Sequence, residues 1–247
     1  MKRVCVFLFF ILSLFVFVGC GEEKKESKEI VSKKRDLTSG EISNIMNVID
    51  KIIYLDYYNK DLIPRNMTNQ EVLRVSYEIL ASQGKAASGK LKFSDLENVA
   101  MNFLGFGLEP ENLVCDTHYN IQDDGGADIM IYDVKTGVYS NNSKHLGHGA
   151  GGLRTEVYNN YLSGYEDNGT YTIIVNKIFS EVLGDVYNLK KGYYATYSDA
   201  STNKNKLFEA TIFGKEKFNE YKDNLVKYTY TFKLINEHYV LISYKIG

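Results

Sequence analysis

Apolar side chains repeat at helical spacing in three stretches of residues 38–107, and this period predicts three α-helices. The first is expected to begin at Thr38 and to extend to Leu55. The other two begin at capping boxes, in which a Ser or Thr and a Glu three residues later satisfy each other's backbone N–H groups. These boxes run from Thr68 to Glu71 and from Ser94 to Glu97. Gly105 is expected to end the third helix, because glycine readily adopts the left-handed conformation needed there.

Beyond residue 107 the chain consists of short runs in which apolar and polar residues alternate, which is the period of β-strands. The predicted strands are 127–132, 137–139, 156–162, 170–179, 193–197, 207–213, 228–234 and 239–245. Turn residues such as Asn168-Gly169 connect them without long crossovers, so antiparallel pairing is expected. A short helix is expected within Lys215–Lys227. The prediction is an α+β fold, with N-terminal helices followed by an antiparallel β-sheet.

The first twenty residues have the pattern of a secretory signal peptide. Two basic residues, Lys2 and Arg3, precede the apolar stretch Val4–Val18, and Gly19 and Cys20 follow it. The fifteen residues of that stretch would form a helix of about 22 Å, shorter than the ~30 Å hydrocarbon core of a bilayer. Cleavage of the segment is therefore favoured, and an uncleaved signal anchor is the alternative.

The sequence Phe17-Val18-Gly19-Cys20 resembles the lipobox of bacterial lipoproteins, in which an aliphatic residue, a small or β-branched residue and Gly or Ala precede a Cys. The resemblance implies that the signal peptide is removed and that the thiol of Cys20 receives a diacylglyceryl group, with acyl chains such as palmitate. It also implies a lipid-anchored location at the cell membrane, facing outside the cytoplasm. Because two or more acyl chains hold a protein stably in a bilayer, the lipid bilayer is the first expected partner.

The chain is predicted to contain four segments. They are a signal peptide, 1–19; the lipidated cysteine with a flexible charged linker, 20–37; a helical subregion, 38–107; and an antiparallel β-rich region, 108–247. The linker is nearly all charged, with Ile30 and Val31 as its large apolar residues before residue 37, so it cannot bury enough surface to fold alone. An exposed helical extension is the alternative. The helical and β-rich parts are expected to form one domain.

Composition excludes several classes of function. The chain has 247 residues, of which 44% are hydrophobic and 24% charged, as is typical of a globular protein. Its formal net charge of −2 lacks the basic excess of nucleic-acid-binding proteins, so no nucleic-acid partner is expected. Three cysteines cannot form a paired disulfide framework. Twenty tyrosines without any tryptophan favour half-buried strand positions over an exposed sugar-binding surface.

The glycine-rich stretch 144–152 is the candidate binding loop. It carries His145, His148 and Gly149, and four of the residues from 147 to 152 are glycines, which permit close approach of a ligand. Histidine can act as a base or a metal ligand near neutral pH. The predicted ligand-binding residues are His145, His148, Gly149 and Glu156. A metal would need a third ligand, for which the candidates are Glu156, Asp128 and Asp133, and the sequence predicts neither a metal nor a cofactor. A sharply turned, solvated loop is the alternative.

Two other stretches carry weaker chemical patterns. Cys115 with His118 or His148 as a base could form a thiol nucleophile, but a lone buried thiol is favoured. The stretch 120–131 has Ile131 where a calcium loop requires a bidentate Glu, so a calcium site is excluded. No catalytic residue is assigned.

The favoured function is a membrane-anchored extracytoplasmic lipoprotein whose α+β part is a binding or interaction module. Its expected partners are the bilayer, through acylated Cys20, and an unidentified protein or envelope ligand. The alternative is an envelope-directed hydrolase or a metal-dependent enzyme that uses the loop containing His145 and His148. The sequence favours the binding module without deciding whether the protein is an enzyme.

Overall fold

Helices and strands interleave along residues 34–114, 128–142, 155–180 and 190–247, which are the residues that the computed structural model describes, Asp128 by its backbone alone. The α-helices are α1 Ser39–Lys51, α2 Asn69–Ser82, α3 Phe93–Val99, α4 Tyr197–Thr202 and α5 Lys217–Glu220. Short 3-10 helices span Ile53–Tyr58, Pro64–Asn66 and Lys222–Asn224, and a π-helical turn, Ala100–Leu104, continues α3.

Eleven β-strands form two antiparallel sheets in the described residues. They are β1 Arg35–Asp36, β2 Lys90–Lys92, β3 Leu113–Val114, β4 Asp128–Asp133, β5 Val138–Asn141, β6 Val157–Asp167, β7 Thr170–Ser180, β8 Lys191–Tyr194, β9 Phe208–Ala210, β10 Lys227–Ile235 and β11 His238–Ile246. The larger sheet has the order β1-β6-β7-β10-β11, with β8 paired to the end of β7 and β9 paired to β8. The smaller sheet has the order β2-β5-β4-β3. The predicted α+β class and antiparallel pairing are confirmed.

The order of elements is more mixed than helices followed by strands. Strand β1 precedes α1, and β2 lies between α2 and α3. Helices α4 and α5 lie late in the chain, between strands of the larger sheet. The predicted strand 193–197 is shorter than expected, because Thr196 caps α4 through a hydrogen bond from the Asp199 backbone N–H to its hydroxyl, at 3.1 Å.

Two of the three helix starts are those that the sequence predicts. Thr38 and Thr68 are the N-caps of α1 and α2, and both make complete capping boxes. Ser94 is not an N-cap. Helix α3 begins at Phe93 with no side-chain cap, because strand β2 runs directly into it and the Phe93 N–H is bonded to the Gly137 carbonyl at 2.9 Å. Gly105, with φ of 71°, follows the π-helical turn as expected.

The main hydrophobic core lies between the helices and one face of the larger sheet. Alternate residues of the central strand β7 point into it, among them Ile173, Val175 and Phe179, which are fully buried. The other face of β7 contributes Ile178 to a second, smaller cluster with Tyr193 and Phe218. The described residues all belong to one compact unit.

The fold includes the last residues of the segment predicted as a linker. Strand β1 pairs with β6, and Leu37 beside it is buried. Arg35 Nη2 lies 2.7 Å from Glu41 Oε1, and Arg35 Nε lies 3.1 Å from Glu166 Oε2. Hydrogen bonding to Arg35 lowers the pKa of Glu41 to about 2. These ion pairs and the strand pairing attach the segment to the larger sheet.

Within the four described ranges, no helix combines the length and the apolar composition needed to cross a membrane.

Candidate functional site

A cleft of about 310 Å³ opens at the edge of the larger sheet, beside strand β11. Its lining residues are Lys60, Asp61, Leu62, Ile63, Asn66, Met67, Glu71, Ser243, Tyr244 and Lys245. The volume lies in the range of about 300–1,000 Å³ that is usual for small-ligand sites. The lining combines an apolar part with ammonium groups and carboxylates at the rim.

Backbone pairing holds the two walls of the cleft together. The N–H of Leu62 donates to the Tyr244 carbonyl at 2.8 Å, and the N–H of Tyr244 donates to the Leu62 carbonyl at 2.9 Å. The Ile246 N–H donates to Asp61 Oδ1 at 2.8 Å. The segment 61–62 therefore covers part of the edge of β11 that would otherwise present free backbone groups.

Charged groups of both signs line the cleft, and local structure holds the Glu71 carboxylate in place. The carboxylate of Glu71 accepts the Thr68 N–H at 2.7 Å as part of the α2 capping box, which fixes its position. Lys60 Nζ lies 3.9 Å from Glu71 Oε1 and 5.5 Å from the centre of the Tyr58 ring. Lys245 and Ile63 also line the cleft, and both are exposed, Ile63 by 40%. The cleft suits a ligand that carries both charges and an apolar group.

A buried ion pair, Lys177 with Asp56, lies near the cleft and is not among the predicted site residues. Lys177 on β7 is 0% exposed and Asp56, in the 3-10 helix Ile53–Tyr58, is 2% exposed. Lys177 Nζ donates to Asp56 Oδ2 at 2.5 Å, and the Tyr244 hydroxyl donates to Asp56 Oδ1 at 2.6 Å. Tyr244 is also one of the lining residues of the cleft, although its side chain is fully buried.

Three aromatic rings, here called the tyrosine cluster, surround the Lys177 ammonium. Its Nζ lies 5.1 Å, 5.2 Å and 5.9 Å from the ring centres of Tyr228, Tyr230 and Tyr244, within cation–π range. Burial lowers the pKa of Lys177, and the charge of Asp56 opposes that shift. Burial and the Asp56 carboxylate raise the pKa of Tyr244 far above its usual range, so Tyr244 stays protonated and acts as a donor.

Glu156 is the one predicted ligand-binding residue that the structure describes. Its carboxylate accepts the Tyr158 hydroxyl at 2.6 Å and the Lys191 ammonium at 2.8 Å, so both oxygens are engaged. Partial burial favours its protonation, but the hydrogen bonds from Lys191 and Tyr158 outweigh it and lower the pKa of Glu156. Its backbone N–H is bonded to Ser180 Oγ at 2.9 Å, which fixes its position between β6 and β7.

The remaining predicted site residues, His145, His148, Gly149 and Cys20, lie outside the described residues. Their roles therefore stay predictions. In the described parts of the chain, no group of three or more His, Cys, Asp and Glu side chains is arranged to hold a metal. Among the candidate third ligands, Asp133 is used locally, because its carboxylate accepts the Lys135 N–H at 2.9 Å and the Thr136 hydroxyl at 2.8 Å in the β4–β5 turn.

A weak signal for the buried ion pair is present in the sequence. The inward positions of β7 read Ile173, Val175, Lys177 and Phe179, so one cation interrupts an otherwise apolar face. Asp56 similarly interrupts the run from Tyr54 to Tyr58. Charged residues are almost never fully buried unless they are paired, so a charge at either position predicts a partner. The sequence alone does not say which partner, because the two residues are 121 positions apart.

No family model, curated protein or solved structure matches the chain.

Proposed function

We propose that this protein is a lipoprotein held on the outer side of the cell membrane through acylated Cys20, and that its folded part is a binding module. Residues 1–19 are its signal peptide and residues 21–33 connect the lipid to the fold. The helical subregion 38–107 and the β-rich region 108–247 act as one binding body. The leader sequence supports the location, and the cleft beside β11 supports the binding.

The cleft is the observation that carries the proposal of binding. It is concave, has the volume of a small-ligand site, and has a lining that includes the exposed Ile63 together with ammonium and carboxylate groups. A short peptide matches this lining, because it presents an amine, a carboxylate and apolar side chains within a few ångströms of one another. The ligand class that we propose is therefore a short peptide segment of an envelope or extracellular protein.

Peptide binding can be tested by NMR titration. A ¹⁵N-labelled chain that begins at Gly21 is titrated with the tripeptide Lys-Leu-Glu, and amide shifts are followed across the described residues. We expect saturable shifts in residues 60–71 and 243–245. Replacing Lys60 and Lys245 together by Ala should weaken the affinity about tenfold, a loss of about 1.4 kcal/mol.

The matched control replaces two exposed lysines away from the cleft, Lys222 and Lys233, by Ala. This control has the same change in net charge, so it separates a local contact from a general electrostatic effect. Equal weakening in both double variants, or shifts confined to residues outside the cleft, would contradict peptide binding at this site.

The alternative enzymatic function depends on His145 and His148. Replacing both by Ala and measuring zinc content and hydrolysis of peptidoglycan fragments tests it separately. Loss of hydrolysis in that variant would favour the enzyme over the binding module.

A further inference from the structure

Lys177 and Asp56 bring an amine and a carboxyl group, the two groups from which an amide bond forms, into direct contact in the core. The amine nitrogen and a carboxyl oxygen are 2.5 Å apart, and the two residues are 0% and 2% exposed. Lys177 lies on the central strand β7 and Asp56 in a 3-10 helix on the core side, so both backbones are fixed by secondary structure. The pair is thus held in one orientation, which is the condition under which intramolecular reactions gain most.

The reaction needs both groups in their uncharged forms. A buried ammonium and carboxylate are costly, and transfer of one proton from Nζ to Oδ2 removes both charges. The neutral amine then has a free electron pair, and the neutral carboxyl group is a better acceptor for it. The tyrosine cluster and the core exclude bulk water, so hydrolysis of a product amide is disfavoured.

We propose that Lys177 and Asp56 become joined by an isopeptide bond that the folded chain forms by itself. The Nζ electron pair attacks Cγ of Asp56, and the C=O electrons move to Oδ1. When they return, the Cγ–Oδ2 bond breaks and Oδ2 leaves as water with the two protons that Nζ has lost. One N–C bond replaces one C–O bond, no oxidant is needed, and one water molecule is the sole by-product.

Tyr244 has a direct role in this step. Its hydroxyl donates to Oδ1 at 2.6 Å, the oxygen on which negative charge develops during the attack. A donor fixed at such an oxygen stabilises the tetrahedral intermediate, and loss of one donor slows acyl transfer by about 10²–10³-fold in enzymes. Tyr244 is therefore the catalytic residue of the proposed reaction, and Lys177 and Asp56 are its substrates.

The bond would join the 3-10 helix Ile53–Tyr58 to the middle of the larger sheet. It would close a chain segment of 121 residues that includes α2, α3 and the whole smaller sheet. A protein exposed outside the cytoplasm gains resistance to unfolding and proteolysis from such a link without needing paired cysteines.

Peptide mass spectrometry of the full chain, extracted from membranes and denatured, tests the bond. Trypsin should release peptide 52–60 joined to peptide 155–190, lighter than the two together by one water molecule, because an acylated Lys177 is not cleaved. The joined species should be absent from Lys177→Met. Recovery of 52–60, 155–177 and 178–190 only as separate peptides from the wild type would overturn the proposal.

The role of Tyr244 is tested by the fraction joined after a short pulse of synthesis. Tyr244→Phe should reduce the rate of joining about 100-fold, because it removes one donor to the developing oxyanion while keeping the ring. Tyr239→Phe on the same strand is the matched control, since that ring contacts Tyr171 and not Asp56. Equal rates in the two variants would overturn the role of Tyr244.

Discussion

The burial of Lys177 beside Asp56 predicts that the single variant Asp56→Ala is less stable than the double variant Asp56→Ala with Lys177→Met. Asp56→Ala leaves the Lys177 ammonium in the core without its counter-ion, whereas adding Lys177→Met replaces the lysine by an apolar side chain of similar length. Neither variant can form an amide between these positions, so the comparison does not depend on whether the wild type is cross-linked. The single variant should be the less stable of the two.

The size of the difference follows from the burial of the pair. Removing one partner of a fully buried ion pair costs about 3–5 kcal/mol, whereas an apolar replacement of both partners is often neutral. Lys177 is 0% exposed, so no solvent screens its charge, and its stem packs among the rings of the tyrosine cluster, where Met also fits. The double variant should therefore be more stable than Asp56→Ala by about 3 kcal/mol.

The pH dependence of the single variant provides a second readout. Burial lowers the pKa of folded Lys177, and removing Asp56 removes the charge that opposes this shift. The unfolded chain, in which the lysine pKa is about 10.4, then binds more protons than the folded chain, so stability rises with pH up to roughly that value. The double variant lacks the group and should show no such rise.

Urea unfolding followed by circular dichroism at pH 7 and pH 9 measures both effects. The free energies of unfolding of the two variants should differ most at pH 7 and converge towards pH 9. Equal stabilities at pH 7, with parallel behaviour at pH 9, would refute the conclusion that Lys177 lies in the core, where an unpaired ammonium is costly.

Three further predictions test the local structure. Thr68→Ala should lower the free energy of unfolding, measured in urea, by about 1 kcal/mol, because it removes a capping box. Ser94→Ala should change the same quantity by less than about 0.5 kcal/mol, because Ser94 caps no helix. Gly105→Ala should destabilise by about 1–3 kcal/mol, because φ is 71° and the new Cβ would lie 2.8 Å from a neighbouring side chain, whereas Gly107→Ala meets nothing within 4 Å. Glu41→Gln should lower the melting temperature at pH 7 but not near pH 2, since the depressed pKa of Glu41 contributes stability that is lost as pH falls through about 2.

Each of these has an outcome that contradicts the structure. Equal losses for Thr68→Ala and Ser94→Ala would mean that α3 is capped at Ser94. A neutral Gly105→Ala would contradict the left-handed turn after Leu104. A Glu41→Gln effect that is the same at both pH values would contradict the ion pair with Arg35.

The features of the fold that the sequence predicts correctly are those set by interactions between neighbouring residues. Capping at Thr68 and the turn at Asn168-Gly169 depend on residues within a few positions of one another, and both are present as predicted. The prediction that α3 begins at Ser94 is wrong, because the start of this helix depends on the pairing between β2 and β5, which brings residues 92 and 138 together. The hydrophobic period of the sequence does not predict such a long-range contact.

The candidate site depends on contacts over a still longer range. The cleft exists because Leu62 pairs with Tyr244, and the buried network because Asp56 meets both Lys177 and Tyr244. Lys177 and Asp56 each interrupt an apolar run, which predicts a buried partner for each, but the sequence does not indicate that they meet across 121 positions. Unusual composition is what predicts the binding loop at His145 and His148. Of the four predicted ligand-binding residues the structure describes Glu156, whose carboxylate is bonded to Tyr158 and Lys191.

The proposed location is tested most directly by the mass of the amino-terminal peptide of the chain extracted from bacterial membranes. We predict a peptide that begins at Cys20 and carries a diacylglyceryl group on its thiol, and a Cys20→Ala variant that retains residues 1–19. A wild-type peptide that begins at Met1, or one in which Cys20 carries a free thiol, would contradict the lipoprotein assignment.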